Sequence, residues 1–383
     1  MKKLIRITTV PVSLKILLRG QLSFMSEYFE VVGITSPGKE IKEVEKSESI
    51  RVAPILMSRK ITPVQDLKAL WKTYRLLKKE KPDIVHTHTP KAGVIGMLAA
   101  RLAKVPVRLH TVAGLPLMEE SGSKRKILNT VEKITYACAT KVYPNSKGLY
   151  DFIVKEKFTN ISKLKIIASG SSNGIDTAFF SRENVSDEQN AKLKNDLNIQ
   201  PTDFVFIFVG RLVKDKGINE LVTAFSKMQN HNAKLLLVGS LEDDLDPLVP
   251  ETTEEIKNNT DIISVGFQQD VRPYFAIADA LVFPSYREGF PNVVMQAGAM
   301  DLPSIVTDIN GCNEIVIEGE NGCIIPVKNA DLLQSAMENF VINKSQHLKL
   351  KSNARLMIKN RYEQSVVWGA LLEEYRNVLK ENN

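Results

Sequence analysis

Cysteine is scarce. Only Cys138, Cys312 and Cys323 occur among 383 residues, in no paired pattern. A disulfide framework is therefore excluded, and a reducing compartment is expected. Neither these cysteines nor the five histidines show the spacing of a zinc site, so no metal cofactor is expected. No apolar run reaches the roughly 20 residues a membrane-spanning helix needs. The start of the chain, M-K-K-L-I-R-I-T-T-V-P-V, imitates a leader only briefly. Arg6, Thr8, Thr9 and Lys15 interrupt it, and a first β-strand is the better reading. With neither leader nor anchor, a cytoplasmic protein is expected. Low-complexity segments and short internal repeats are missing as well.

What is present is ordinary in amount and unusual in arrangement. Hydrophobic residues make up 43% and charged residues 25%, as in a soluble globular protein. A chain of this length suits two domains rather than one core. The net charge of +7 hides a split. Residues 1–180 carry 31 basic and 15 acidic side chains, a balance of +16; residues 181–383 carry 20 and 29, a balance of −9. Two domains with different partners would produce such a split. The basic half suits an anionic substrate or an anionic membrane surface at the inner face of the cell membrane, or is simply a solvated lysine-rich surface. Nucleic acid is not expected as a partner.

Short apolar runs alternate with helical segments throughout. In the first half the expected strands are Leu4–Val10, Phe29–Ile34, Asp83–His86, Val107–Thr111, Lys141–Pro144 and Leu164–Ala168. In the second they are Phe204–Val209, Ala233–Val238, Ile262–Val265, Leu281–Phe283, Ser304–Val306 and Cys323–Pro326. Helices such as Val64–Glu80, Lys91–Ala103, Ile218–Met228 and Pro291–Met300 separate them. Buried strands alternating with helices predict an α/β chain with two parallel-sheet, Rossmann-like domains. The turn-forming cluster Ser169–Asp176 marks the boundary, giving domains 1–176 and 177–365. The segment 366–383 is expected to be a helix that can cross back to the first domain. The ligand is expected in a cleft between the domains, outside the carboxyl ends of the strands.

The densest chemistry lies at Ser285–Pro303, S-Y-R-E-G-F-P-N-V-V-M-Q-A-G-A-M-D-L-P. It follows an apolar strand and packs Glu288, Gly289 and Pro291 into four residues. Helical spacing begins at Val293. A helix start after a parallel strand offers free N–H groups and a dipole to a phosphate. Asn292 and Gln296, four apart, share a helix face. Phosphate donors beside a carboxylate and two amides suit a nucleotide and a polyol such as a sugar.

A second loop, Gly210–Gly217 (G-R-L-V-K-D-K-G), joins the strand F-V-F-I-F-V to a helix. Arg211 and Lys216 project from it. Arginine pairs its N–H groups with phosphate oxygens and lysine adds a point charge, so together they suit a diphosphate.

These two loops, in this order and about eighty residues apart, resemble the retaining glycosyltransferases of family 4. The segments Asp83–Gly93 (D-I-V-H-T-H-T-P-K-A-G) and Asn173–Thr177 (N-G-I-D-T) are similar to that family too. The resemblance spans essentially the whole chain. It implies the GT-B fold, two Rossmann-like domains facing a central cleft. It implies metal-independent transfer of a sugar from a nucleotide-diphospho-sugar to a glycan or lipid-linked saccharide, with retention, in bacterial surface polysaccharide synthesis. Arg211 and Lys216 would hold the donor pyrophosphate. Glu288 would contact the transferred sugar, and the backbone N–H groups of Phe290, Asn292 and Val293 the phosphate. Gly266 and Phe267 would lie at the base, although Phe267 can equally be core.

The chain departs from the family at three places. Gln296 stands where a glutamate usually binds ribose. The N-terminal loop Thr9–Ser13 lacks the family's glycine pair. The histidine that family members carry near the reacting sugar falls at Ala113, with His110 three residues earlier as a candidate replacement. His86 and His88 share a strand face, with ordinary hydrogen bonding favoured for His86. Lys91 and the helix start after it could meet an anionic acceptor. Two rival readings have the same architecture. A nucleotide-sugar 2-epimerase would need acid and base carboxylates from both domains, and residues 1–180 show no such pair. A non-catalytic nucleotide-sugar-binding module would not need Arg211, Lys216 and Glu288 together.

Overall fold

The computed structural model describes every residue except 59–61, 229–231, 243–245 and 383, and all but the side chains of Pro116 and Glu119. It forms two compact units, Met1–Gly174 with Gln364–Asn383, and Ile175–Glu363. Sequence patterning put the boundaries two residues later at each crossing. Asn383, the last residue of the anticipated C-terminal segment, lies outside the described residues.

Unit 1 contains β1 (Lys3–Ile7), β2 (Glu30–Thr35), β3 (Arg51–Pro54), β4 (Ile84–His88), β5 (Val107–Val112) and β6 (Lys141–Pro144). They make one parallel sheet in the order β3-β2-β1-β4-β5-β6. Unit 2 contains β7 (Phe204–Val209), β8 (Ala233–Val238), β9 (Ile262–Ser264), β10 (Ala280–Phe283), β11 (Ser304–Thr307) and β12 (Gly322–Ile325). Their order is β12-β11-β10-β7-β8-β9, again all parallel. The central strands are buried on both faces: all four residues of β10 and four of six in β7 are inaccessible. This two-sided burial explains why they read as continuous apolar runs rather than alternating ones.

One expected strand is missing and one strand is unanticipated. Leu164–Ala168 is not a strand; a helical turn at Ile161–Lys163 precedes it, and Leu164 touches β6 through one isolated bridge to Val142. Ala168 then takes a left-handed backbone (φ 49°), which ends any extended run. The sixth strand is instead β3, R-V-A-P, paired with β2 at the edge of the sheet. Its exposed Arg51 and its terminal proline are edge-strand features that mask a strand pattern.

The segment after Glu363 is the helix Gln364–Glu381. It buries Leu371, Leu372, Tyr375 and Val378 against Leu4, Phe29, Val107 and Tyr143 of unit 1. Trp368 donates its indole N–H to the Asn173 side chain (2.8 Å). Tyr143 donates to the Glu374 carboxylate (3.1 Å), which also pairs with Lys165. The two ends of unit 2 meet: Ile175 N–H donates to the Tyr362 carbonyl at 2.7 Å, and Glu363 accepts from Thr177.

Candidate active site

The chemistry-bearing loops of unit 2 all leave the carboxyl ends of its strands. Gly210–Gly217 follows β7, Gly266 and Phe267 lie just beyond β9, and Ser285–Pro291 lies just beyond β10. The helix Asn292–Ala299 begins one residue later than anticipated, with Pro291 as its cap. Asn292 and Gln296 sit four apart in it.

The loops touch, and glycine allows it. Gly217 has a left-handed backbone (φ 71°), and a Cβ there would lie 2.2 Å from the Pro284 carbonyl oxygen. Gly311, at φ 77°, would place a Cβ 2.7 Å from the Gly289 carbonyl oxygen. Any other residue would strain these turns and push the loops apart.

At their junction the Lys216 ammonium pairs with the Glu288 carboxylate, both largely buried. Ser285 Oγ donates to the same carboxylate at 3.2 Å, and the lysine stands 5.8 Å from the Phe283 ring centre. Sequence patterning named Lys216 and Glu288 separately, seventy-two residues apart; the fold brings them together. Arg211 is more open, 54% exposed at its side chain, and pairs with Glu242 (2.9 Å). Phe267 is 76% exposed beyond β9 and Gly266 has open space above it. Of the two sequence alternatives for Phe267, the core position is therefore excluded. Phe290 packs edge-on against Tyr362 (5.4 Å). Val293 is half-buried against the unit 2 core.

Two supporting residues escaped the sequence pattern. Asn310 donates from Nδ2 to the carbonyls of Glu288 (3.1 Å) and Gly289 (2.5 Å), fixing the glutamate loop. Thr307 donates to the Ser285 carbonyl. The Asn310–Gly311 dipeptide was the available signal, since Asn-Gly marks a tight turn.

Comparison with known proteins decides the family. Residues 189–357 match the profile "Glycosyl transferases group 1" and residues 16–146 match "Glycosyl transferase 4-like". The capsular polysaccharide biosynthesis glycosyltransferase CapM of Staphylococcus aureus is 34% identical over 390 residues, covering 100% of this chain and 98% of that protein. The chain belongs to the group 1, family 4-type glycosyltransferases. An Escherichia coli UDP-Gal:alpha-D-GlcNAc-diphosphoundecaprenol alpha-1,3-galactosyltransferase is 30% identical, covering 80% of this chain and 78% of that one. Among solved structures, Anabaena HepE in complex with UDP superposes with a TM-score of 0.81 at 18% identity, covering 98% of this chain and 100% of that one. A glycosyltransferase from Rickettsia africae superposes at 0.82, with 22% identity and 99% coverage of both. The fold of this glycosyltransferase is thus GT-B, and the protein is an enzyme.

In unit 1 the enzyme corrects one site expectation. His110 does not stand at a strand end open to substrate. It lies inside β5, 2% exposed, with Nδ1 hydrogen-bonded to Thr87 Oγ1 (2.8 Å). Gly93 is glycine because a Cβ there would meet the imidazole at 2.5 Å. His110 is a packed core histidine and is not presented to a sugar. Ala113, at the family's histidine position, is half-buried and offers its carbonyl to Asn145 Nδ2 (3.4 Å). Lys91 pairs with Asp66 (2.6 Å).

His86 and His88 are also buried. His86 bonds Tyr375 through Nδ1 (2.6 Å) and Thr111 through Nε2 (2.8 Å). His88 Nε2 accepts from Arg6 (2.7 Å), which also donates to Gln21. Desolvation pushes His86 and His88 well below the ordinary range, with the neighbouring Arg6 charge adding to it. Burial lowers His110 to about 4. All three are neutral in the folded state at neutral pH.

Neutral buried histidines make the fold acid-sensitive. Below about pH 6.5 the unfolded chain binds protons that the folded one refuses. The stability they contribute is complete above pH 6.5 and is lost as pH falls toward 4. For His110 alone the loss is about 3 kcal/mol. Glu132 acts oppositely: burial raises its carboxyl to about 7, so the folded state gains stability as pH falls from 7 toward 4.5. Three histidines outweigh one glutamate. Urea titrations monitored by tryptophan fluorescence should therefore show the midpoint of unit 1 falling between pH 6.5 and pH 4. A constant midpoint across that range contradicts the buried neutral assignment.

Proposed function

We propose that this enzyme transfers a hexose from a UDP-sugar to a lipid-diphosphate-linked saccharide, with retention of anomeric configuration, in bacterial surface polysaccharide assembly. The observation carrying the proposal is the Lys216–Glu288 pair, set between a βα loop bearing Arg211 and the start of the helix Asn292–Ala299. It supplies cations for a diphosphate and a carboxylate for sugar hydroxyls at one point. The activities of the S. aureus and E. coli relatives support the pathway, the diphospholipid acceptor and the UDP donor.

In this scheme the donor diphosphate replaces Glu288 as the partner of Lys216, and Glu288 turns to the sugar hydroxyls. Arg211 grips the same diphosphate. The backbone N–H groups of Phe290, Asn292 and Val293 receive its oxygens, and Gly266 and Phe267 border the base. The bond from the anomeric carbon to the diphosphate breaks. A new bond forms to the acceptor hydroxyl on the same face, and its proton passes to the departing phosphate oxygen. The cations strengthen their hold as negative charge develops there, which accelerates the step without a metal.

The test is release of UDP from UDP-sugars with and without a polyprenyl-diphosphate saccharide, followed by NMR of the new linkage. Acceptor-dependent release and a retained anomer are expected. Altered sugar formed without acceptor would mean an epimerase, and binding without turnover a binding module.

Gln296 carries a sharper test. As a ribose contact it should act on binding, so Gln296→Ala should raise KM for the donor several-fold with kcat little changed. Gln296→Glu, carrying the usual family residue, should bind donor at least as well. A folded Gln296→Glu enzyme that binds no donor would show that this helix face is turned from the ribose.

The basic first half supports peripheral contact with the inner face of the cell membrane. Lys78, Lys79, Lys81, Lys124, Arg125 and Lys126 would each contribute about 1 kcal/mol near an anionic surface. Sedimentation with anionic vesicles should be strong at low salt and lost at high salt. Equal, negligible binding to anionic and neutral vesicles would remove this contact and leave the transferase proposal intact.

A further inference from the structure

Unit 1 carries an apolar groove of about 400 Å3 that the donor-site roles above leave unused. Its floor is the helix Pro90–Leu102, and its walls are the helices Pro63–Glu80 and Gly122–Cys138, which pack on either side of it. Leu67, Leu70, Val94, Leu98, Ile127 and Val131 line it. Leu67 is 67% exposed and Ile127 more than half exposed, so apolar side chains stand in water at its lip. Exposed apolar surface of this kind, contiguous and concave, marks a binding site. The volume lies in the range of small-molecule sites.

The groove has a direction. One end is the start of the helix Pro90–Leu102, two residues beyond β4, at the carboxyl edge of the sheet where open α/β sheets bind ligands. Lys91 and its partner Asp66 line that end. Further along the wall lies Glu132, buried beside Tyr136. Burial keeps that carboxyl largely uncharged up to about pH 7, so the wall carries little fixed negative charge. The outer faces of the two wall helices are cationic, with Lys68, Lys72, Lys124, Lys126 and Lys133 exposed. A hydrocarbon slot with the Lys91–Asp66 ion pair at its mouth and cationic flanks complements an amphiphile whose anionic head can take the place of Asp66 beside Lys91.

We propose that this groove binds the first hydrocarbon units of an anionic prenyl or alkyl lipid, with its phosphate head at Lys91. The proposal deepens the lipid-linked acceptor of the preceding subsection and rests on that reading. The acceptor's saccharide would then be anchored from the same strand edge at which its tail enters the groove. The enzyme would select acceptors by their lipid as well as by their sugar.

The probe is farnesyl diphosphate, a soluble C15 prenyl diphosphate, titrated into the full-length enzyme by calorimetry, with inorganic diphosphate as the head-only control. Two variants alter the groove: Val94→Trp fills it, and Leu67→Glu places a charge on its exposed lip, where the fold is insensitive. Farnesyl diphosphate should bind wild type at least about tenfold more tightly than inorganic diphosphate. Both variants should lose at least about tenfold of that affinity, with melting temperature and UDP affinity unchanged. Equal affinity for the two probes would overturn the proposal, as would unchanged binding in both variants. Loss of anionic-vesicle binding in both variants with farnesyl diphosphate affinity retained would also overturn it and make this face a membrane contact. Failure of the transferase reading appears separately, as wild-type enzyme releasing no UDP with any lipid-linked acceptor.

Discussion

Lys216→Ala is expected to lower kcat at least about tenfold, equivalent to about 1.4 kcal/mol of transition-state stabilisation. The lysine's bond to the departing diphosphate is charge-assisted and strengthens as charge develops, so its loss falls on turnover more than on donor affinity. The substitution also leaves Glu288 largely buried beside Ser285 without its cation. A modest fall in melting temperature should accompany the loss of rate, and Lys216→Arg should restore much of the stability but less of the rate. Arg211→Ala should follow the same pattern, but its open, solvated side chain leaves more of its role to water. Single-turnover rates with saturating donor check this. Rates within twofold of wild type in both alanine variants would remove the loop Gly210–Gly217 from the chemistry.

Tyr375→Ala is expected to have the largest effect on stability. The tyrosine is completely buried, meets Phe29 edge to face at 5.8 Å, and bonds His86 Nδ1. Truncating a buried aromatic costs about 3–5 kcal/mol. Orphaning the imidazole nitrogen adds about 1–3 kcal/mol. Tyr375→Phe isolates the second contribution, because it keeps the ring. The chain has two tryptophans, Trp71 and Trp368, and both lie in unit 1, so fluorescence follows that unit alone. The fluorescence transition of Tyr375→Ala should shift far below wild type and separate from the calorimetric transition of unit 2. Coincident transitions at the wild-type temperature would mean that the helix Gln364–Glu381 is dispensable to unit 1.

Most of this architecture is legible in the chain because two-sided burial writes each inner strand as an apolar run. β7, β8 and β10 stand out for that reason. The edge strand β3 does not, since four residues with an arginine and a proline carry no such pattern. The candidate site was legible as parts. Phosphate-binding residues cluster in loops with glycines at fixed offsets, and such local patterns survive in sequence. The pairing of Lys216 with Glu288 did not, because it depends on where β7 and β10 lie side by side in the sheet. His110 misled for a related reason. Its sequence position puts it near a strand end, but β5 continues to Val112 and turns the ring toward Gly93 and Thr87. Whether a strand-end polar residue faces solvent or core is settled by the helix packed over it, which sequence spacing does not specify.

The helix Gln364–Glu381 also governs the order in which the chain can fold. During synthesis residues 1–174 emerge first, yet the seat for Leu371, Leu372 and Tyr375 stays open until residues 175–363 and the start of the last helix have been made. Unit 2 is continuous, and it is complete before the first unit receives its last element. The usual sequence, in which the amino-terminal domain finishes first, is therefore inverted. The bond between His86 and Tyr375 spans 289 residues, a loop closure among the slowest kinds of contact to form. Until it closes, a nascent chain shows apolar surface around Phe29 and Tyr143 to solvent, and that surface is open to wrong association.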